Sequence, residues 1–203
     1  FSFPAPLREG DELWFRVNVY YPEGWDFSCG GCSQGMKFMR IHTASDAGAN
    51  EGYHSILIIG GTTGGLITVG TEVDREFYTS GKTGADVKYL GTPIKRDQWH
   101  TYEMYIKFSS VTNQGIYRVW QDGNLIFEDL TSATLYSPTS KSTRTYLYTY
   151  WNNGAPKTQT SYVDDIVMTN EVPGRRDAHG NPYIGVGPSI YIAPPKAPTP
   201  RDG

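Results

Sequence analysis

The chain reads as an all-β protein, an antiparallel sandwich, and three features point that way. Its 203 residues include 15 Tyr, 8 Phe and 5 Trp beside 23 Gly and 13 Pro. Residues suited to a pleated, half-buried surface are thus mixed with residues that make turns. Short alternating or apolar segments recur between turn clusters, the pattern of a sandwich. No window sustains a helical period. One domain is expected, since all-β sandwiches run to roughly 200–250 residues without splitting.

Taken in order, Asp11–Tyr21 is the first expected strand, closed by Pro22-Glu23-Gly24. Lys37–Thr43 alternates after a Gly-rich loop, Tyr53–Ile59 ends in Gly60-Gly61, and Leu66–Val73 ends near Asp74. A weaker strand covers Glu76–Thr79, and Trp99–Phe108 is long and free of Gly and Pro. Ile116–Gln121 and Leu125–Glu128 flank Asp122-Gly123-Asn124, in which Asp-Gly is a strong hairpin turn. Tyr146–Trp151 and Tyr162–Thr169 enclose the loop Asn152-Asn153-Gly154-Ala155-Pro156. The sandwich is therefore expected over residues 1–172. From Pro173 to Gly203 the chain is a Pro/Gly-rich arm or linker, with six of the 13 prolines between Pro182 and Pro200.

The formal charge of −3 is too balanced for a nucleic-acid or anionic-membrane partner. No apolar run approaches the roughly 18 residues of a membrane span, so no insertion is expected. The sequence starts at Phe1 with no signal-like segment, as a mature or excised fragment would. Cys29 and Cys32 are the only cysteines. A redox pair would open a helix, and a zinc site would need two further ligands. A disulfide stapling the loop is preferred, and it favours an extracellular or particle-surface location.

Three ordered signatures carry a family resemblance. Gln98-Trp99-His100-Thr101-Tyr102 opens a strand, Tyr117-Arg118-Val119-Trp120-Gln121-Asp122-Gly123-Asn124 forms a hairpin, and Tyr162-Val163-Asp164-Asp165-Ile166 closes the set. Together they resemble the concanavalin A-like lectin/glucanase superfamily, which includes laminin-G-like domains and the jelly-roll polysaccharide lyases. The resemblance implies a jelly roll. It also implies that Asp164 binds a structural calcium ion with backbone carbonyls, for which the turn Glu23–Asp26 is a source; the alternative is a carboxylate bonded to backbone N–H groups. No organic cofactor is expected. This superfold hosts lectins, hydrolases, lyases and scaffolds, so function must come from the site.

Alternation places Tyr146, Tyr148 and Tyr150 on one face of their strand, a platform whose rings can stack on sugars. The same stripe also fits a core lining. Tyr146, Arg118 on the hairpin strand, and Trp151 with Asn152 are candidate glycan contacts. On Lys37–Thr43, Phe38, Arg40 and His42 share one face, opposite Lys37, Met39 and Ile41; on Tyr53–Ile59, His54 lies with Ile56 and Ile58. If Arg40, His42, His54, Tyr148 and Tyr150 meet on one sheet, they fit β-elimination on a uronate polymer. Arg40 would neutralise the carboxylate, His42 or His54 would act as base, and Tyr148 or Tyr150 as acid. The alginate-lyase strands R-x-E-L-R, Q-I/V-H and Y-F-K-x-G-x-Y-x-Q are absent, which points to more distant jelly-roll lyases such as those acting on glucuronan. A glycosidase is disfavoured, because Glu72, Asp74 and Glu76 do not match the E-x-D-x-x-E strand of this superfamily's glucanases.

Three functions stand open. The leading expectation is extracellular polysaccharide binding through an aromatic, Arg- and His-containing concave sheet. The alternatives are a polysaccharide lyase and a structural or adhesion domain of a larger assembly such as a phage particle.

Overall fold

The computed structural model describes residues 1–29, 35–61, 64–73, 76–79 and 89–187. Its elements are β-strands throughout: β1 (Ser2–Leu7), β2 (Glu12–Tyr20), β3 (Met36–Ala44), β4 (Asn50–Gly61), β5 (Gly64–Val73), β6 (Glu76–Thr79), β7 (Leu90–Ile94), β8 (Trp99–Lys107), β9 (Ile116–Gln121), β10 (Asn124–Asp129), β11 (Lys141–Tyr150), β12 (Tyr162–Thr169), β13 (Arg175–Arg176) and β14 (Pro182–Tyr183). A seven-stranded sheet runs β1-β11-β3-β4-β5-β6, with β7 also on β5, and a five-stranded sheet runs β10-β9-β8-β2-β12. All pairings are antiparallel. The two sheets enclose a core that includes Phe15, Val17, Tyr21, Phe38, Ile41, Ile56, Tyr102, Met104 and Val119. The expected all-β sandwich is what forms.

Every expected strand is present with its ends moved by a few residues; the two-residue strands β13 and β14 are additional, and so are the longer β1 and β7. Both carry proline, at Pro4, Pro6 and Pro93, and β1 lies at the edge of its sheet. Proline lacks the N–H that a central ladder position needs, so such segments read poorly as strands. The Asp122-Gly123 hairpin forms with positive φ at both residues, 50° and 81°, the conformation of a type I′ turn.

Residues 173–187 pack against the sandwich as an arm. The ribbon β13–β14 lies over the outer face of the five-stranded sheet, where Trp14, Tyr105 and Trp120 cluster with Tyr183 and Ile184. The indoles of Trp14 and Trp120 donate to Pro182 O (3.0 Å) and Asp177 Oδ2 (2.8 Å). Glu103 Oε1 and Oε2 accept the backbone N–H groups of Ile184 and Gly185 at 2.7 and 2.9 Å. Residues 188–203, the rest of the Pro-rich segment, lie outside the described residues, as does Cys32. Cys29 is disulfide-bonded.

Candidate active site

The site is built on β3 and its neighbours β11 and β4. Along β3, Met36, Phe38, Met39 and Ile41 all enter the core. Two consecutive inward residues, Phe38 and Met39, break simple alternation. The ladder records the break as a register shift between Lys37 and Met39 against β4, a β-bulge, which re-aims the side chains beside it. Lys37 therefore joins Arg40 on the outer face although the two are three residues apart. The expectation that Phe38 shares the face of Arg40 and His42 is corrected, because the bulge turns Phe38 inward and Lys37 outward.

A matching shift in β11 between Leu147 and Tyr150 pairs Tyr146 with Arg40 and Tyr150 with Lys37. Tyr146 and Tyr148 stack at 5.0 Å with an interplanar angle of 14°, and Tyr150 continues the row at 6.4 Å. Lys37, Arg40, Tyr148 and Tyr150 line a cavity of about 140 Å³. Arg40 is largely buried, its Nε donates to Ser55 Oγ at 2.8 Å, and its guanidinium lies 4.0 Å from the centre of the Tyr53 ring. Lys37 Nζ donates to Asn152 Oδ1 at 2.6 Å and sits 4.8 Å from the centre of the Tyr150 ring. Burial, reinforced by the neighbouring phenol of Tyr146, pushes the Tyr148 hydroxyl up to about 12. Tyr148 thus keeps its proton at neutral pH.

His42 shares this face but is 4% exposed, with its ring 5.1 Å from Tyr53 and 6.3 Å from Tyr146. Burial and then the Arg144 cation lower its pKa, against a hydrogen bond with Asn50, so the ring is biased toward its neutral form. His42 stands behind the aromatic wall and does not line the cavity.

Other expected residues lie elsewhere. His54 is fully buried beneath the sheet, its Nε2 hydrogen-bonded to Thr134 O at 2.9 Å and its ring 5.4 Å from Tyr117. It faces the core with Ile56 and Ile58, so it does not join Arg40 and Tyr148. Trp151 is also a core residue, against Trp25. Arg118 sits on the opposite sheet, paired with Glu128 at 2.6 Å and lying over Tyr105. Tyr146 and Asn152 flank the cavity, Tyr146 stacked on Tyr148 and Asn152 accepting from Lys37 Nζ.

Asp164 is exposed, and its Oδ1 accepts the N–H of Asp165 at 2.7 Å. Among the described residues no three His, Cys, Asp or Glu side chains gather as a metal site. Asp74 and the side chains of Glu72 and Glu76 lie outside the described residues.

Lys37 is the residue that sequence reasoning placed on the wrong face. Its signal was the adjacent pair Phe38-Met39, two large apolar side chains where alternation allows only one.

The fold and this face together define a carbohydrate-active jelly roll. A sequence profile described as polysaccharide lyase matches residues 2–167, and the chain belongs to that family. Among curated proteins none matches the sequence. Solved structures of similar fold include the alginate lyase Aly36B with alginate trisaccharide, a variant with one lysine and one methionine replaced by alanine. It is 13% identical at a TM-score of 0.57, over 82% of this chain and 73% of that one. A second Aly36B variant, with a lysine and a tyrosine replaced, holds an alginate tetrasaccharide and aligns at 16% identity, TM-score 0.53, over 82% and 72%. The alginate lyase of the marine Aplysia kurodai is 12% identical, TM-score 0.53, over 84% and 74%. The endo-β-1,4-glucuronan lyase of the fungus Trichoderma reesei is 14% identical, TM-score 0.50, over 81% and 70%.

Proposed function

We propose that this chain cleaves a uronate-containing polysaccharide by β-elimination in the cavity of Lys37, Arg40, Tyr148 and Tyr150. The observation that carries the reading is the joining of two cations and two phenols on one sheet face in a member of the polysaccharide lyase family. Elimination removes the proton on C5, breaks the C4–O4 bond and leaves a C4=C5 double bond, with the leaving oxygen taking a proton. Arg40 cannot act as a base, since guanidinium stays protonated, and its fork suits the uronate carboxylate. Neutralising that carboxylate makes the C5 proton easier to remove. Tyr148, held protonated by burial, supplies the proton to O4. Lys37 is assigned as the acceptor of the C5 proton, which requires that its ammonium first release a proton to solvent so that the neutral amine can take the one from C5, with Asn152 steering that amine and Tyr150 forming the outer wall. The similar Aly36B was captured with alginate oligosaccharides after loss of a lysine, once together with a tyrosine, and this cavity offers that pair of residue types. An intact polymer is met outside the cell, so an extracellular location belongs to the same reading.

Binding without turnover is the second reading. It is favoured by the burial of His42, so that no imidazole is among the described residues lining the cavity, and by the stacked Tyr146 and Tyr148 rings. Incubation with alginate, glucuronan, ulvan and a neutral β-glucan, followed by ultraviolet absorbance of the unsaturated uronate, separates the two. Turnover is expected on an acidic polymer, and Tyr148→Phe should lower kcat by roughly 10²–10⁴-fold while KM changes little. No absorbance change with any acidic polymer would overturn the lyase reading and leave binding.

A further inference from the structure

The outer face of the five-stranded sheet carries two sets of aromatic side chains, and among the described residues the arm covers one of them. Trp14, Tyr105 and Trp120 lie under Tyr183 and Ile184. The other set is Tyr162, Tyr20 and Trp99, on the adjacent strands β12, β2 and β8, in register with one another. All three are partly exposed. The Tyr20 ring lies 5.7 Å from Trp99 and 6.1 Å from Tyr162, the three making one continuous row. Tyr20 Oη donates to Asp97 Oδ1 at 3.2 Å. Among the described residues Tyr162 Oη and Trp99 Nε1 make no hydrogen bond.

At the Tyr162 end the row meets a groove of about 440 Å³ lined by Glu23, Trp25, Lys157, Gln159 and Tyr162 among others. Its two walls are fixed to each other. Asp26 N–H donates to Gln159 Oε1 at 2.8 Å, Gln159 Nε2 donates to Asp26 O at 2.9 Å, and Lys157 Nζ donates to Gly24 O at 2.6 Å. The groove is thus pre-shaped, which lowers the ordering cost of binding. Trp25, in its wall, is a core residue 3% exposed, packed on Tyr21, Phe27 and Trp151, so the wall behind the groove is rigid. The connection 151–161 leads from Tyr150 at the cavity to Tyr162 at this row.

We infer that the Tyr162–Tyr20–Trp99 row and its groove form a second, non-catalytic binding site for a polysaccharide chain. Aromatic rings with a polar edge suit the apolar face and hydroxyl rim of a pyranose. Glu23 and Asp97 add negative charge at the edge, joined by a hydrogen bond of 2.7 Å from Glu23 N to Asp97 Oδ1. The site therefore grips sugars through ring faces and hydroxyls rather than through uronate carboxylates. That the occupant is the polymer also cut in the cavity rests on the function proposed above.

The test is affinity electrophoresis of the full chain through gels containing each of the four polysaccharides, in a Tyr148→Phe background so that the polymer survives. Trp99→Ala/Tyr162→Ala should weaken retardation about tenfold, the loss expected of two aromatic contacts. Trp99→Phe/Tyr162→Phe keeps the rings and should keep the binding. Because carboxylates are not the handle, the lost component should persist in high salt, whereas binding at Arg40 and Lys37 is screened. Equal retardation of the Ala/Ala variant and its parent overturns the inference. So does loss of binding in the Phe/Phe variant equal to that in Ala/Ala. If the wild type cleaves none of the polymers yet Ala/Ala loses retardation, the second site stands and the lyase reading falls. If it cleaves one and Ala/Ala binds as before, the reverse holds.

Discussion

Replacing His54 by Gln should leave catalysis nearly intact while removing an acid-sensitive weakness from the fold. His54 donates from Nε2 to Thr134 O at 2.9 Å, and its Nδ1 is buried without a partner. Protonating Nδ1 would create a charged donor with nothing to accept from it. Burial accordingly lowers the pKa from 6.5 to about 4, only partly offset by the Thr134 hydrogen bond and by Asp129. The sign follows from the lowered value. The unfolded chain takes up the proton as pH falls through 6.5, the folded chain only near 4, so the stabilisation is present above 6.5 and lost between the two. A tenfold change in proton affinity is worth about 1.4 kcal/mol, so the loss amounts to roughly 3 kcal/mol. For a chain of this size that is roughly 6–12 °C in Tm. His54→Gln keeps an amide donor for Thr134 O and has no titration. Thermal unfolding of both proteins at pH 7, 5.5 and 4 should show the wild type losing that much more than the variant. Parallel Tm-versus-pH curves would refute the reasoning, and loss of turnover at pH 7 with Tm unchanged would return His54 to the chemistry.

Other substitutions test the remaining parts. Arg40→Lys keeps a positive charge but loses the fork and the Ser55 hydrogen bond, so kcat/KM on an acidic polymer should fall at least tenfold in steady-state assays. Asp177 accepts from Trp120 Nε1, from the N–H groups of His179 and Asn181, and from Asn181 Nδ2. Asp177→Ala should cost about 1–3 kcal/mol, seen as faster amide exchange over residues 177–185 ahead of global unfolding. Gly65 has room for no side chain, since a Cβ there would lie 2.8 Å from Ile58 Cγ2 and 2.9 Å from Phe27 Cγ. Gly65→Ala should lower stability by about 1–3 kcal/mol in denaturant unfolding.

The strands were legible because each is written locally, in alternation, β-branched or aromatic residues and bounding turns. So was the side of the sheet that His54 takes, since it alternates with Ile56 and Ile58, and Trp151 alternates with Leu147 in the same way. What alternation cannot say is which sheet a strand joins. Arg118 lies on β9, placed in the five-stranded sheet by its pairing with β8, and nothing near residue 118 encodes that partner. The arm was equally hidden. Its anchors are the far-off Trp14, Glu103 and Trp120, and Pro-rich composition alone left arm and linker equally open.

The cavity itself depends on the one feature that local pattern hides. In a regular strand Lys37 and Arg40 face opposite sides, so one would enter a core made of Phe38, Ile41 and Tyr102. An unpaired cation there costs several kcal/mol. The bulge removes that conflict by turning Phe38 and Met39 inward together. The extra residue in β11 between Leu147 and Tyr150 then restores the pairing, bringing Tyr150 opposite Lys37 while Tyr146 stays opposite Arg40. Between these two irregularities lie the four cavity residues. Two strands that each depart from regularity by one residue thus hold two cations and two phenols on one face, which neither strand could do while its partner stayed regular.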